Sequence, residues 1–251
     1  MKRKLKITVK HIIASAALLS AKLSLVLILF FVSLSVLIIL IRQIFYHKEY
    51  TMDERVFGYL SQFVTETNTV VMRILSFAGS QFFLIPAWLM LLVFYYFIRR
   101  DKWITIKIPV IALSNLALMF GLKIFFNRPR PLIPLLKDVP GLSFPSWHAF
   151  MSFIFYGFVI YLVYHDVKNR RAKWGIISIL AFVILAIGLS RIYLRVHYAS
   201  DVLAGYCFGI MSLLILLRLL RQIENGNAKK NNPPYLNITK AGSDLHKPRH
   251  S

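Results

Sequence analysis

Two histidines, a carboxylate and three cations in this chain have the types and spacing needed to handle a phosphoryl group. They fall in three short stretches: Lys123 and Arg130 in "KIFFNRPRP", His148 in "FPSWHAF", and Arg191, His197 and Asp201 in "SRIYLRVHYASD". His197 and Asp201 are four apart, a spacing that puts them on one face of a helix within reach of each other. A carboxylate on one imidazole nitrogen selects the tautomer and leaves the other nitrogen free as base or nucleophile. Lys123, Arg130 and Arg191 could neutralise non-bridging phosphate oxygens while one histidine attacks and the other protonates the leaving group. In "FPSWHAF", Pro145 restricts the chain ahead of Ser146, a good N-cap, so the free N–H groups of the following helix would converge on an anion beside His148.

The elements that must position these residues are membrane-length helices. The chain has 251 residues and is 57% hydrophobic, too apolar for an ordinary soluble domain. Apolar runs recur at Leu23 to Ile41, Phe82 to Ile98, Ile104 to Phe126, Ala149 to Tyr164, Gly175 to Ser190 and Val202 to Leu217. A spanning helix needs about 20 mainly apolar residues, so each run suffices with its flanks. The expected fold is therefore all-α, a polytopic six-helix transmembrane bundle. The first run is longer than a signal-peptide core and lacks a small-residue cleavage site after it, which makes it an uncleaved helix. Residues 1–22 form a basic N-terminus, residues 23–221 the membrane domain, and residues 222–251, too poor in apolar residues to support a core, a disordered tail.

Charge orients the bundle. With the N-terminus in the cytoplasm, most of the 31 Lys and Arg lie on inner segments, including Lys2, Arg3 and Lys4, then Arg99 and Arg100, then Arg170 and Arg171, then Arg218 and Arg221. This follows the positive-inside rule and puts both termini in the cytoplasm. The net charge of +21 then reports topology and attraction to anionic lipid. A nucleic-acid partner is not implied, because the basic residues sit at helix ends instead of on one face with interleaved aromatics. The same topology brings Lys123, Arg130, His148, Arg191, His197 and Asp201 to the outer side. It separates them from His165 and Asp166, which lie about 25 Å from His148 along the same helix at roughly 1.5 Å per residue. Residues 50–77 carry Val56, Leu60, Phe63, Val64, Val71 and Ile74 near one helix side. They are expected to form a short external helix, lying on the interface or packed on the bundle. The single cysteine, Cys207, excludes an intrachain disulfide or a cysteine-based zinc site.

Lys123-x6-Arg130-Pro131, Pro145-Ser146-Trp147-His148 and Ser190-Arg191-x5-His197-x3-Asp201 together resemble the three-part signature of the type 2 phosphatidic acid phosphatase family of integral membrane lipid phosphatases. The resemblance implies that His197 is the nucleophile that becomes phosphohistidine, that Asp201 orients it, and that His148 protonates the departing group. It implies that Lys123, Arg130, Ser146, Trp147 and Arg191 hold the phosphate, and that no metal or other cofactor is needed. Only Asp201 of the ten acidic residues falls among these positions, which disfavours a magnesium-type centre. Trp147 departs from the family pattern, which has glycine there. As the first helical residue it can adopt the required φ, so its N–H is expected to face the phosphate and its indole to lean outward to the headgroup layer. The expected substrate is a lipid phosphate ester or anhydride at the outer face of the cytoplasmic membrane. Undecaprenyl diphosphate ranks first, followed by phosphatidylglycerophosphate, phosphatidic acid and diacylglycerol diphosphate. A lipid phosphotransferase and a lipid transporter are the competing classes.

Overall fold

A computed structural model describes residues 23–131, 134–136 and 141–231. The basic segment 1–22 and residues 232–251 of the expected tail lie outside the described residues. The described chain is helical: α1 (Leu23–His47), α2 (Thr51–Ser61), α3 (Glu66–Phe77), α4 (Gln81–Val93, continued by the wide turns of Phe94–Arg99), α5 (Lys102–Phe126), α6 (Trp147–Asp166), α7 (Arg170–Tyr193) and α8 (Ala199–Asn231). Among the described residues, six stretches are long and apolar enough to cross a membrane, α3 and α4 together forming the second, so the protein is a multi-pass membrane protein. Among the described residues the chain divides into two compact units, split after Leu214. All that follows concerns the first. The second is, among the described residues, the distal part of α8, which stays helical through Asn231, beyond Gln222 where the polar composition led to an irregular tail being expected.

The 50–77 segment differs from its expected form. It is two helices, because Thr65 takes an extended conformation and its side chain accepts from the Asn68 N–H, which starts α3 afresh. Only α2 is a separate short helix. It is packed on the bundle, with Val56, Phe57 and Leu60 against Ala149, Ile192, Ala199 and Val202 at the ends of α6, α7 and α8. α3 instead runs along α7 and leads into α4 through a turn at Gly79. That turn needs glycine: a Cβ there would stand 2.5 Å from Ile187 Cγ2 and 3.4 Å from His148 Cδ2. The close approach brings the second span against the beginning of α6.

The other helices meet around the same end. α6 packs on α7 and on α5. On α1, Leu37, Leu40 and Ile44 join Phe144, Ala204 and Cys207 in a buried cluster. Gly205 of α8 touches the first turn of α6 so closely that an added Cβ would lie 3.0 Å from the Ser146 carbonyl oxygen. Glycine here lets two helix starts, one carrying His148 and the other Asp201, share one space.

Candidate active site

α6 begins where sequence reasoning put it. Ser146 is the N-cap, at φ −68° and ψ 119°, and its own N–H donates to the Asp201 carbonyl at 3.0 Å. Its side chain does not cap, contrary to expectation. Ser146 Oγ is fully buried and makes no hydrogen bond. A buried hydroxyl without a partner costs about 1–3 kcal/mol, so it is a donor waiting for an acceptor. The first-turn N–H groups of a helix have no partner within it, and here they open beside that hydroxyl.

His197 lies in the turn between α7 and α8, not on a helix, so the pairing with Asp201 arises differently from the expected i to i+4 face. The α7 chain turns at Ser190 to Val196: Leu194 N–H donates to Ser190, and both Val196 and His197 N–H groups reach the Arg191 carbonyl at 3.2 and 3.3 Å. Arg195 takes φ +52° to close this turn. Asp201, in the first turn of α8, then reaches back to accept from the Tyr198 N–H at 2.8 Å. His197 Nδ1 faces Asp201 Oδ2 at 3.5 Å, an ion-pair distance whose geometry falls short of a hydrogen bond. The opposite nitrogen, Nε2, lies 3.4 Å from Arg130 Nη1. A guanidinium has donors only, so this contact uses the Nε2 lone pair and leaves the proton on Nδ1, toward the carboxylate. Burial pushes the His197 imidazole down to about 4, with Arg130 and Arg191 reinforcing the shift and Asp201 opposing it. It is neutral at pH 7 with its lone pair directed at the cations.

The cations ring one cleft of about 540 Å³, lined by Lys123, Arg130, Trp147, His148, Arg191 and His197 together with Phe120 and the start of α4. Lys123 Nζ donates to the Leu142 carbonyl at 2.6 Å. Arg130 donates to the Gly141 and Val196 carbonyls at 3.1 and 2.9 Å, and burial lowers it from its ordinary range. Arg191 Nη1 donates to Ser76 Oγ at 2.5 Å, while its Nε is buried without a partner. Each cation is thus held by a neighbouring segment of the chain, with capacity to spare for an anion. Ser146 and Asp201 stand just behind the walls of the cleft. His165 and Asp166 are at the far end of α6, where Asp166 accepts from Tyr95 at 2.9 Å and pairs with Arg99 at 3.2 Å. Among the described residues, no group of three or more His, Cys, Asp or Glu is placed to hold a metal ion.

The combination is a cationic pocket around a neutral, carboxylate-backed imidazole at the ends of membrane helices, and residues 104–224, which contain all of it apart from the α3–α4 lining, match the PAP2 superfamily. This region is a PAP2 superfamily domain. It is 27% identical over 147 residues to phosphatidylglycerophosphatase B of Bacillus subtilis, covering 58% of this chain and 72% of that one. It is 39% identical over 74 residues to the bacitracin transport permease protein BcrC of Bacillus licheniformis, covering 30% of this chain and 32% of that one. Among solved structures, a transmembrane PAP2 type phosphatidylglycerolphosphate phosphatase from Bacillus subtilis superposes with a TM-score of 0.69 at 24% identity, over 76% of this chain and 96% of the other. LpxE of Aquifex aeolicus gives 0.50 at 29% identity, over 65% and 93%. The PAP2 fold and the membrane setting are therefore common ground.

Trp147 is half-buried, and its indole packs against the exposed ring of Phe120 on α5, centroids 5.9 Å apart and tilted by 58°. There it lines the cationic cleft and also a neighbouring apolar groove of about 450 Å³ between α4, α5 and α6, whose walls include Leu84, Trp88, Ile108 and Leu116. Gln81, Phe120 and Trp147 belong to both spaces. Sequence reasoning grouped Arg128 with the charges at this end of the bundle but gave it no role, and it missed Asp53, Ser143 and Ser200, which lie around Arg128 and Asp201. The only cue was Arg128's place two residues before Arg130, and nothing in the spacing tied it to Asp53.

Proposed function

We propose that this PAP2 phosphatase hydrolyses a lipid phosphate ester or anhydride at the outer face of the cytoplasmic membrane, with undecaprenyl diphosphate ranked first and phosphatidylglycerophosphate or phosphatidic acid next. One observation carries the reading: the cationic cleft and the apolar groove share a wall at Gln81, Phe120 and Trp147. A molecule that fills both has a phosphoryl head and a hydrocarbon tail. Three cations against one neutral nucleophile suit a di- or tri-anionic head, which favours a diphosphate or a monoester over a diester.

His197 Nε2 attacks phosphorus, forming a P–N bond while the P–O bond to the leaving group breaks. His148 donates its proton to the departing oxygen, and Asp201 stabilises the positive charge on the His197 ring through Nδ1–H. Lys123, Arg130, Arg191, the Ser146 hydroxyl and the first-turn N–H groups of α6 bind the non-bridging oxygens as the phosphoryl group becomes trigonal. Water then attacks phosphorus, His148 takes its proton, and the P–N bond breaks to release phosphate and regenerate His197. A transport reading, suggested by the name of one relative, fits less well. Transporter sites lie near the midplane on broken helices, whereas these residues stand where helices end.

The test is phosphate release by purified full-length protein from each of these lipids, with chelator present. Release from at least one lipid, lost in His197→Ala together with an acid-labile phosphoenzyme, is the expected result. Folded wild-type protein that releases phosphate from none of them would refute the proposal.

A further inference from the structure

Behind the cleft, Arg128 lies between two carboxylates from distant parts of the chain. Its Nη1 is 2.6 Å from Asp201 Oδ1 and its Nη2 is 2.9 Å from Asp53 Oδ2 on α2. All three side chains are buried, at 5%, 0% and 3% exposure. The guanidinium is stacked over the Tyr198 ring at 4.1 Å, with Tyr50 on the other approach at 5.6 Å. Ser200 closes the circuit: its Oγ donates to Asp53 Oδ2 at 2.6 Å, its N–H donates to Asp53 Oδ1 at 2.9 Å, and it accepts from Arg128 at 2.8 Å. The other oxygen of Asp201 is held by Ser143 Oγ and the Tyr198 N–H, leaving it one direction in which to meet His197.

We propose that Arg128 and Asp53 are positioning residues which hold the Asp201 carboxylate, and through it the His197 ring, in the reacting orientation, making α2 a working part of the active site. Charge explains why both are needed. Arg128 with Asp53 and Asp201 carries one net negative charge, matched by the positive charge that develops on His197 during reaction. A planar fork that bonds two carboxylates at once is a geometry arginine can supply and lysine cannot. Asp53 keeps that fork from rotating wholly toward Asp201. It also anchors the first turn of α8, where its negative charge meets the positive end of the helix. Without Arg128, two carboxylates would be left buried near each other with no cation, and repulsion would drive Asp201 out of register with His197.

The inference rests on the phosphatase reading for its kinetic consequences but not for its structural one, and the experiment separates the two. Arg128→Gln, Arg128→Lys, Asp53→Asn and the double variant Arg128→Gln/Asp53→Asn are made in the full chain and checked for monodispersity. Arg128→Gln should lose about 10- to 100-fold in kcat, by analogy with the loss when a partner that orients a metal-bound side chain is removed, with KM changed by less than about threefold. Arg128→Lys should recover part of the loss. The double variant, whose buried charge is again one negative, should exceed Arg128→Gln by about fivefold or more, a non-additivity that simple damage does not produce. Independently of activity, 15N NMR of the histidines, with His197→Ala as the assigning difference, should show a shifted His197 Nδ1 resonance in Arg128→Gln, where Asp201 no longer faces that nitrogen, while Arg130 at Nε2 keeps the tautomer unchanged.

Folded Arg128→Gln with kcat within about threefold of wild type, a loss confined to KM, or a double variant no better than the single would each overturn the proposal. So would an unchanged His197 Nδ1 resonance. If Arg128→Gln does not fold, the charge-balanced double variant decides: wild-type kcat refutes a role for Arg128, and a kcat loss at unchanged KM supports it. If the wild type releases phosphate from no lipid, the phosphatase reading fails while the NMR comparison still decides the positioning claim.

Discussion

Trp147→Gly asks whether the indole is a wall of the site or a plug in it. The stability cost follows from two contacts. Glycine near a helix start costs up to about 1 kcal/mol relative to alanine, and losing the aromatic contact with Phe120 at 5.9 Å costs about 0.5–1.5 kcal/mol more. A total of about 2 kcal/mol should lower the unfolding temperature without abolishing the fold. The activity change is smaller than hydrophobic area would suggest, because the tail of a lipid leaves one apolar medium for another. Only dispersion contact with the indole is lost, about 0.1–0.2 kcal/mol per atom pair. With about five pairs, the loss is about 0.5–1 kcal/mol, or two- to fivefold in kcat/KM at about 1.36 kcal/mol per tenfold. In the proposed mechanism the phosphate contact at this position belongs to the backbone and survives, so kcat should be nearly unchanged. The assay is phosphate release in mixed micelles with the surface fraction of substrate varied, comparing Gly, Ala and Phe at this position. A gain in kcat of about tenfold or more in the Gly variant would refute the reasoning and show that the indole obstructs the phosphoryl group.

Acid should destabilise the protein through His197. Its ring sits at about 4 when folded against an ordinary 6.5, so the unfolded chain binds more protons between those values, and stability present above pH 6.5 is lost as pH falls toward 4. The upper bound is about 3 kcal/mol, to be read as the difference in pH-dependent unfolding between wild type and His197→Gln; no difference would refute it. The acid limb of kcat/KM, corrected for substrate ionisation, should have its midpoint near pH 4, and a midpoint at 6.5 would refute the shift. Gly205→Ala puts a methyl 3.0 Å from the Ser146 carbonyl, and should cost about 1–3 kcal/mol in unfolding and reduce turnover by displacing the start of α6. His165→Ala, at the far end of α6, should leave phosphate release unchanged within about twofold.

What the sequence determined by itself is depth. Apolar runs of spanning length fix how many helices cross, and the helical rise fixes how far along each axis a residue lies. That was enough to put His148, Arg191 and Lys123 at one end of the bundle and Asp166 at the other, before any packing was known. It also marked the start of α6 at Ser146, because a proline, a capping residue and an apolar run are local signals. Tertiary structure decided everything lateral. That the Ser146 N–H meets the Asp201 carbonyl beside Gly205 depends on where α8 begins, more than fifty residues later. That Trp147 turns onto Phe120 depends on where α5 runs. That Arg128, not Arg130, holds Asp201 depends on Asp53, 75 positions away in the chain. Rise along a helix is a local property of the backbone, whereas rotation about the helix and the choice of partner are settled by side-chain packing and buried charge, which no spacing within one helix encodes.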